Sequence, residues 1–383
     1  MPTQEIVIDC DAHISEPPDL WTSRLPRKFQ DAAPRLVSDE TTGRTHWLVG
    51  DKRLSPNCAG AHAGWAENWP SFPPTLEAAD PAAYEPKARL QRMDEYGIAV
   101  QLLFPNVIAF EVHAFLALAD PELRIECVRA YNDFQTEFAS ADPSRLVPQM
   151  FLPFWDVEAS LAEMRRCANL GHRAVNWGID FEKVGLPPAR NAYWAPILSQ
   201  AQDFELPLTF HIGFNSSPDD HKVSYSITDM RDFAQRVSLF MLGNAAGIAE
   251  VIMSGLCEKY PRLNFVSVES GFGYVPYLIE SLDWQYLNMG GRKQFKEFLM
   301  PNEYFRRQVF CTVWFESQLA RVIDLYPDNV LFSSDFPHPT SLSPGPGSYA
   351  LTPRETIEAN LSDLTPELRR KLLHDNAARV YHL

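Results

Sequence analysis

The sequence predicts a (β/α)8 TIM barrel forming a single domain over residues 1–383, with an insertion after strand one, and two observations carry that expectation. Eight short runs are near-continuously apolar and rich in β-branched residues, as parallel strands covered on both faces should be. Segments of helical period separate them, and eight β–α repeats are the arithmetic of the barrel. A doubly wound open sheet is the alternative. It would want a glycine-rich phosphate turn or another motif at its switch point, and the chain carries neither a dinucleotide fingerprint, a P-loop nor a nucleophile elbow.

In chain order the runs are IVIDC (6–10), AVQLLF (99–104), RLVPQMF (145–151), RAVNW (173–177), LPLTFH (206–211), LNFVSVE (263–269), QVFCTV (308–313) and NVLFSSD (329–335). Between the third and fourth, DVEASLAEMRRCANLG places Asp156 as an N-cap, apolar residues at 157, 161, 164 and 168, and Gly171 as a stop. SGLCEKYPRL and ARVIDLYPDN each end a helix at proline before the next strand. Residues 352–381 read as a run of helices capped by Thr352 and Thr365. Two stretches leave the repeat. Residues 24–85 contain a hairpin turning at Thr42-Gly43 and a Pro/Trp-rich stretch, GWAENWPSFPP, and read as a lid or an oligomer contact. Residues 336–352 form a Pro/Gly/Ser loop after strand eight. With the 212–230 loop, both are expected to roof the barrel mouth, because barrel enzymes build their sites from such loops.

A formal charge of −15 argues against a nucleic-acid partner and against an anionic membrane surface, both of which want a basic face. Six scattered cysteines, Cys10, Cys58, Cys127, Cys167, Cys257 and Cys311, show no CxxC pair and read as reduced, buried thiols. The N-terminus lacks the pattern of a signal peptide, and no stretch approaches the ~18–20 apolar residues of a membrane span. The expected setting is cytoplasmic, the expected partner a small-molecule substrate, and the expected assembly a homo-oligomer, a dimer.

Charged residues at strand ends need a reason, since burying an unpaired charge is costly. Asp11 and His13 end the first run two residues apart, so in extended backbone both point one way. His211 ends the fifth run, Glu269 the sixth and Asp335 the eighth. In a barrel these ends converge on one axis. Two imidazoles with two or three carboxylates suit a divalent metal, Zn, Mn or Fe, with an open position for water. Glu269 reads equally as a ligand and as a group that orients a ligand histidine. His338, three residues after Asp335, suits a substrate or acid/base role. Trp177, Phe214, Tyr274 and Trp314 follow strand ends and could wall an apolar substrate, or equally pack the core. Glu16 reads as a ligand or as a loop cap, and His113 and His221 as surface or core histidines.

These motifs resemble the amidohydrolase-2 family: Asp-x-His-x-x-Glu-Pro at 11–17, the isolated His211, GLCEKYPRLNFVSVESGFGYVPYLIESLD at 255–283, LFSSDFPH at 331–338 and the closing NAARVYHL. That family holds aminocarboxymuconate-semialdehyde and resorcylate-type decarboxylases as well as C–C, lactone and ester-type hydrolases. The resemblance implies a barrel with one catalytic metal held by Asp11, His13, His211 and Asp335. Many relatives carry His where this chain has Asp11 and Glu269, and RAVNW offers no lysine to bridge two ions. Glu269, helped by His338 or Glu16, could bridge a second ion instead. Its added negative charge disfavours a carboxylate substrate. The expectation is therefore a metal-dependent hydrolase of an ester, thioester or lactone, with Asp335 as base and His338 and Glu269 assisting. Decarboxylation of an aromatic or muconate-type acid is the alternative. A non-catalytic ligand-binding barrel is the third reading.

Overall fold

The computed structural model describes residues 5–214 and 229–383, so most of the 212–230 loop, with His221, lies outside the described residues. The strands are β1 (Ile8–His13), β2 (Arg35–Ser38), β3 (Thr45–Val49), β4 (Lys52–Pro56), β5 (Val100–Phe104) and β6 (Leu146–Pro148). β7 (Met150–Phe151), β8 (Val175–Asn176), β9 (Leu208–His211), β10 (Phe265–Val268), β11 (Val309–Val313) and β12 (Val330–Phe332) follow. Each of the eight apolar runs therefore holds a strand, and helices or 3-10 turns separate them.

The parallel strands come as two ladders, β1-β5-β6 and β7-β8-β9-β10-β11-β12, so they do not form the one continuous closed sheet expected. The third run supplies both β6 and β7. Pro148 brings no N–H to the ladder, and the run breaks at Gln149. At the other end, β12 and β1 approach through a single parallel bridge, Ala12 to Phe336. Two backbone bonds hold it: His13 N–H to Phe336 O (2.7 Å) and Asp335 N–H to Asp11 O (2.9 Å). Nearly every residue of these strands is buried, which is why they read as apolar runs rather than as alternating ones.

Asp156 caps the helix Val157–Asn169 through the N–H of Ala159, and Thr352 and Thr365 cap the helices Pro353–Leu361 and Pro366–Arg370. The helix expected at ARVIDLYPDN is instead a pair of 3-10 turns, Leu319–Arg321 and Ile323–Leu325, interrupted at Val322. In the 24–85 stretch, β2, β3 and β4 form an antiparallel sheet, and Gly43 turns the first hairpin with a φ of +68°. The N–H groups of His62 and Ala63 donate to Pro337 O, which ties this stretch to the loop after β12. All six cysteines are buried and free.

An 18-residue window of the helical run Met230–Met253 has a mean hydropathy of 1.3, which matches a membrane span by length and composition only. The run consists of two helices, Met230–Met241 and Asn244–Met253. Part of its apolar surface faces the cavity described below, through Phe233, Val237, Phe240 and Gly247.

Candidate metal centre

The strand ends bring five predicted residues together. Asp11 and His13 sit on β1, whose register shifts between Asp9 and Ala12, an irregularity that re-aims side chains beside a site. His211 closes β9, Glu269 follows β10, and Asp335 follows β12. Glu269 and Asp335 both take left-handed backbone, with φ of 56° and 58°. For Glu269 that conformation is strained, and the Thr312 hydroxyl holds it by accepting the Glu269 N–H at 3.0 Å.

His13 Nε2 stands at the centre. It lies 3.1 Å from His211 Nε2, 3.3 Å from Asp11 Oδ1 and 3.7 Å from Asp335 Oδ1. His211 Nε2 lies 3.5 Å from both Asp11 Oδ1 and Glu269 Oε2. Donors ~2.1 Å from one ion at tetrahedral or octahedral angles stand roughly 3.0–3.4 Å apart, so the spacing fits a shared cation. The hydrogen bonding fits as well. Neither carboxylate oxygen of Asp11 has a hydrogen-bond partner, although both are buried. His211 Nδ1 lies 2.7 Å from Ile212 O, so it carries the proton and leaves the Nε2 lone pair aimed into the cluster. The donor set is nitrogen and oxygen, which suits Mn, Zn or Fe(II).

The charges respond to one another. Burial would raise the Asp11 carboxyl, but the His211 and His13 imidazoles hold it well below the usual range. Burial and then Asp335 push Glu269 up, while burial and then Asp11 push Asp335 up. Burial carries the His338 imidazole down to about 3.

His338 stacks on His13 with ring centroids 3.8 Å apart, and its Nδ1 lies 3.0 Å from Asp335 Oδ1. Its Nε2 meets Asn106 Oδ1 at 3.1 Å. Asn106 Nδ2 donates to Ile14 O, so Oδ1 is the acceptor and the His338 proton sits on Nε2, leaving Nδ1 toward Asp335. Asn106→Leu frees that ring, and activity is expected to fall about 10–100-fold with the fold intact. Steady-state rates and a thermal melt check both halves of this expectation.

Above the donors lies a cavity of about 570 Å³ lined in part by His211, Glu269, His338, Phe110, Phe214 and Trp69. Of the four aromatics predicted as substrate walls, only Phe214 is among its lining residues. Trp177 packs in the core against Phe154, Phe181 and Trp194. Tyr274 stands at the N-terminus of the helix Val275–Asn288. Trp314 donates its indole N–H to Thr340 O, behind the loop that carries Asp335. Glu16 also stands apart from the donor cluster. Its carboxyl, pushed up to about 7 by burial, accepts from Tyr131 Oη and Val107 N–H, so it anchors a loop.

Sequence reasoning missed the supports beneath the donors. Asp9, pushed up to about 6 by burial, accepts from Ser334 N–H (2.8 Å), Ser334 Oγ (2.5 Å), Gln101 Nε2 (2.8 Å) and Asp11 N–H (3.2 Å). Buried Arg89 reaches His13 O (2.6 Å) and Gln101 Oε1 (3.2 Å). The only sequence signal for Asp9 was a second carboxylate on the same apolar strand.

The model of the amidohydrolase family matches residues 8–383. A gamma-resorcylate decarboxylase from Rhizobium sp. (strain MTP-10005) is 26% identical over 263 residues, which cover 65% of this chain and 76% of that protein. An amidohydrolase from Mycobacterium avium subsp. paratuberculosis K-10 is similar in structure, with a TM-score of 0.77 and 20% identity, covering 99% of this chain and 100% of that one. A dihydroxybenzoic acid decarboxylase from Polaromonas sp. JS666, solved with manganese and 2-nitroresorcinol, gives a TM-score of 0.59 at 20% identity, over 99% and 97%. That the curated relatives are decarboxylases overturns the expected acyl-bond hydrolysis. The expectation rested on a negative Glu269 repelling a carboxylate. The match along almost the whole chain, on a mixed α/β fold with donors gathered at its strand ends, makes the protein an enzyme that belongs to the amidohydrolase family.

Proposed function

We propose that this chain is a metal-dependent, non-oxidative decarboxylase of an aromatic or muconate-type carboxylic acid. The observation that carries the proposal is the gathering of Asp11, His13, His211 and Asp335, in overlapping groups of donors, at the floor of the cavity. The decarboxylase relatives support it. In this reading the two ladders are one eight-stranded barrel, interrupted at Gln149 and at the Ala12–Phe336 bridge. The stretch 24–85 is part of its roof, since Trp47, Gly60 and Trp69 line the cavity.

The four residues would hold the ion, and manganese is the metal we assign. When bound, it supplies a Lewis acid that chelates the substrate carboxylate and a neighbouring oxygen. Phe110 and Phe214, each about 5 Å from the His211 ring and packed on one another, would offer a shared apolar face to a substrate ring. Asp335, whose Oδ1 lies 3.0 Å from His338 Nδ1, is the group to which we assign the proton. Asp335 gives this proton to the ring or alkene carbon that bears the carboxylate. The bond from that carbon to the carboxylate then breaks, its electron pair returns to the π system, and carbon dioxide leaves. The net change is one solvent proton taken up for each carbon dioxide released.

In deuterated water the manganese-loaded enzyme should release one carbon dioxide and place one deuterium on carbon per turnover. Consumption of such acids without carbon dioxide would sink the proposal. Glu269→Gln tests the ion count. Affinity for manganese should fall about 10–100-fold while the stoichiometry stays at one per chain. A fall from two ions to one would show that Glu269 bridges a pair.

A further inference from the structure

The helix Val275–Asn288 is apolar on two sides, and packing in the fold uses one of them. Val275, Ile279 and Tyr286 face inward and are buried. Tyr277 and Trp284, seven residues and two turns apart, stand on the opposite side, with Leu287 one turn further and Met289 just past the helix end. Tyr277 is 77% exposed, Trp284 67%, Leu287 49% and Met289 75%. At ~150–250 Å² per aromatic side chain, the two rings alone leave roughly 300 Å² in water. With Leu287, Met289 and the exposed Phe295, the apolar area reaches roughly 600 Å², the upper end for the largest patch on a monomer. A polar rim brings such a face to the ~800 Å² that each partner gives to a standard interface. The two ends of the face carry opposite charge. Glu280 stands on the exposed side one turn before Trp284. Past Gly290, which turns the chain with a φ of +74°, Arg292, Lys293 and Lys296 against Glu297 leave an exposed, net basic turn. Glu280, Arg292, Lys293 and Lys296 make no ion pair among the described residues.

We propose that this face docks a second copy of the chain, with the two helices Val275–Asn288 crossing antiparallel about a two-fold axis close to Trp284. A two-fold interface must be self-complementary, and the antiparallel crossing turns Glu280 of each copy toward the basic turn of the other. A parallel crossing would set like charges together. Aromatic rings at the centre with charges at the rim are the anatomy of a protein interface. A lipid surface would want a uniformly basic rim, whereas Glu280 stands within the stripe and the chain carries a formal charge of −15. None of these residues lines the cavity or belongs to the donor cluster, so the docking surface stands apart from the decarboxylase reading.

Sedimentation velocity of the full chain over a concentration series is the test. At ~10 μM the chain should sediment as a dimer, as an interface of standard size allows. Trp284→Glu should weaken the dimer at least ~30-fold, the scale set by a central aromatic anchor. Glu280→Lys should weaken it about 10-fold by facing like charges, and adding Arg292→Glu and Lys293→Glu to that variant should restore it. All these positions are exposed, so each variant should keep the parent's circular dichroism spectrum. A monomer at every concentration, or a dimer that Trp284→Glu leaves intact, overturns the inference. A charge swap that fails to restore the dimer overturns it as well. Monomers that bind vesicles of phosphatidylcholine and phosphatidylserine through Trp284 would assign the face to lipid and overturn it too.

Discussion

Replacing His13 with alanine is expected to lower manganese content from about one ion per chain to near zero. Turnover should fall on the order of 10³-fold or more, since metal stabilisation of developing charge is worth several kcal/mol and each 1.4 kcal/mol is tenfold. The reason is position. His13 Nε2 is the one donor atom within 3.7 Å of an atom of Asp11, His211 and Asp335 together. Its loss also removes the ring on which His338 stacks. The backbone supports of this strand are separate, since Arg89 holds His13 through its carbonyl and Asp9 holds Ser334. The variant should therefore fold. Metal analysis after gel filtration, with a circular dichroism spectrum, checks both. A variant that keeps full metal and half its activity would remove His13 from the site.

The second large effect is expected at Asp335→Asn. The amide keeps the size and one oxygen but has no carboxyl proton to give. Turnover should drop about 10²–10⁴-fold, the range of general acid–base catalysis, with metal largely retained. The same step makes a further demand. If Asp335 delivers the proton, the residual rate of this variant should no longer carry the solvent isotope effect of the parent. Asn106→Leu should behave differently, slowing turnover while leaving that isotope effect in place, because it disturbs the orientation of His338 and not the carboxyl of Asp335. Wild-type turnover by Asp335→Asn would place the acid elsewhere.

The donors were legible because each stands at the end of an apolar run, where a charge has no structural excuse, and because Asp11 and His13 obey the two-residue period of a strand. The same rule misled at Trp177. Proximity to a strand end does not say which side a ring takes, and Trp177 turns into the core against Phe181 and Trp194. The contact between Trp69 and Phe233 at the cavity was invisible because they are 164 positions apart and meet only in the folded chain. Asn106 and Arg89 are ordinary polar residues until their partners Ile14 O and His13 O are placed. The reaction class failed because one charged side chain was asked to decide it. The sequence shows that Glu269 is acidic, but its charge alone does not separate an acyl-bond hydrolase from a decarboxylase, and the relatives are decarboxylases.

Anomalous scattering from crystals of the manganese-loaded protein tests the central claim most directly. The account predicts one peak, with Asp11, His13, His211 and Asp335 each ~2.0–2.2 Å from it. A peak away from His13 and His211, or stoichiometric activity in crystals with no metal bound at these four residues, would contradict it.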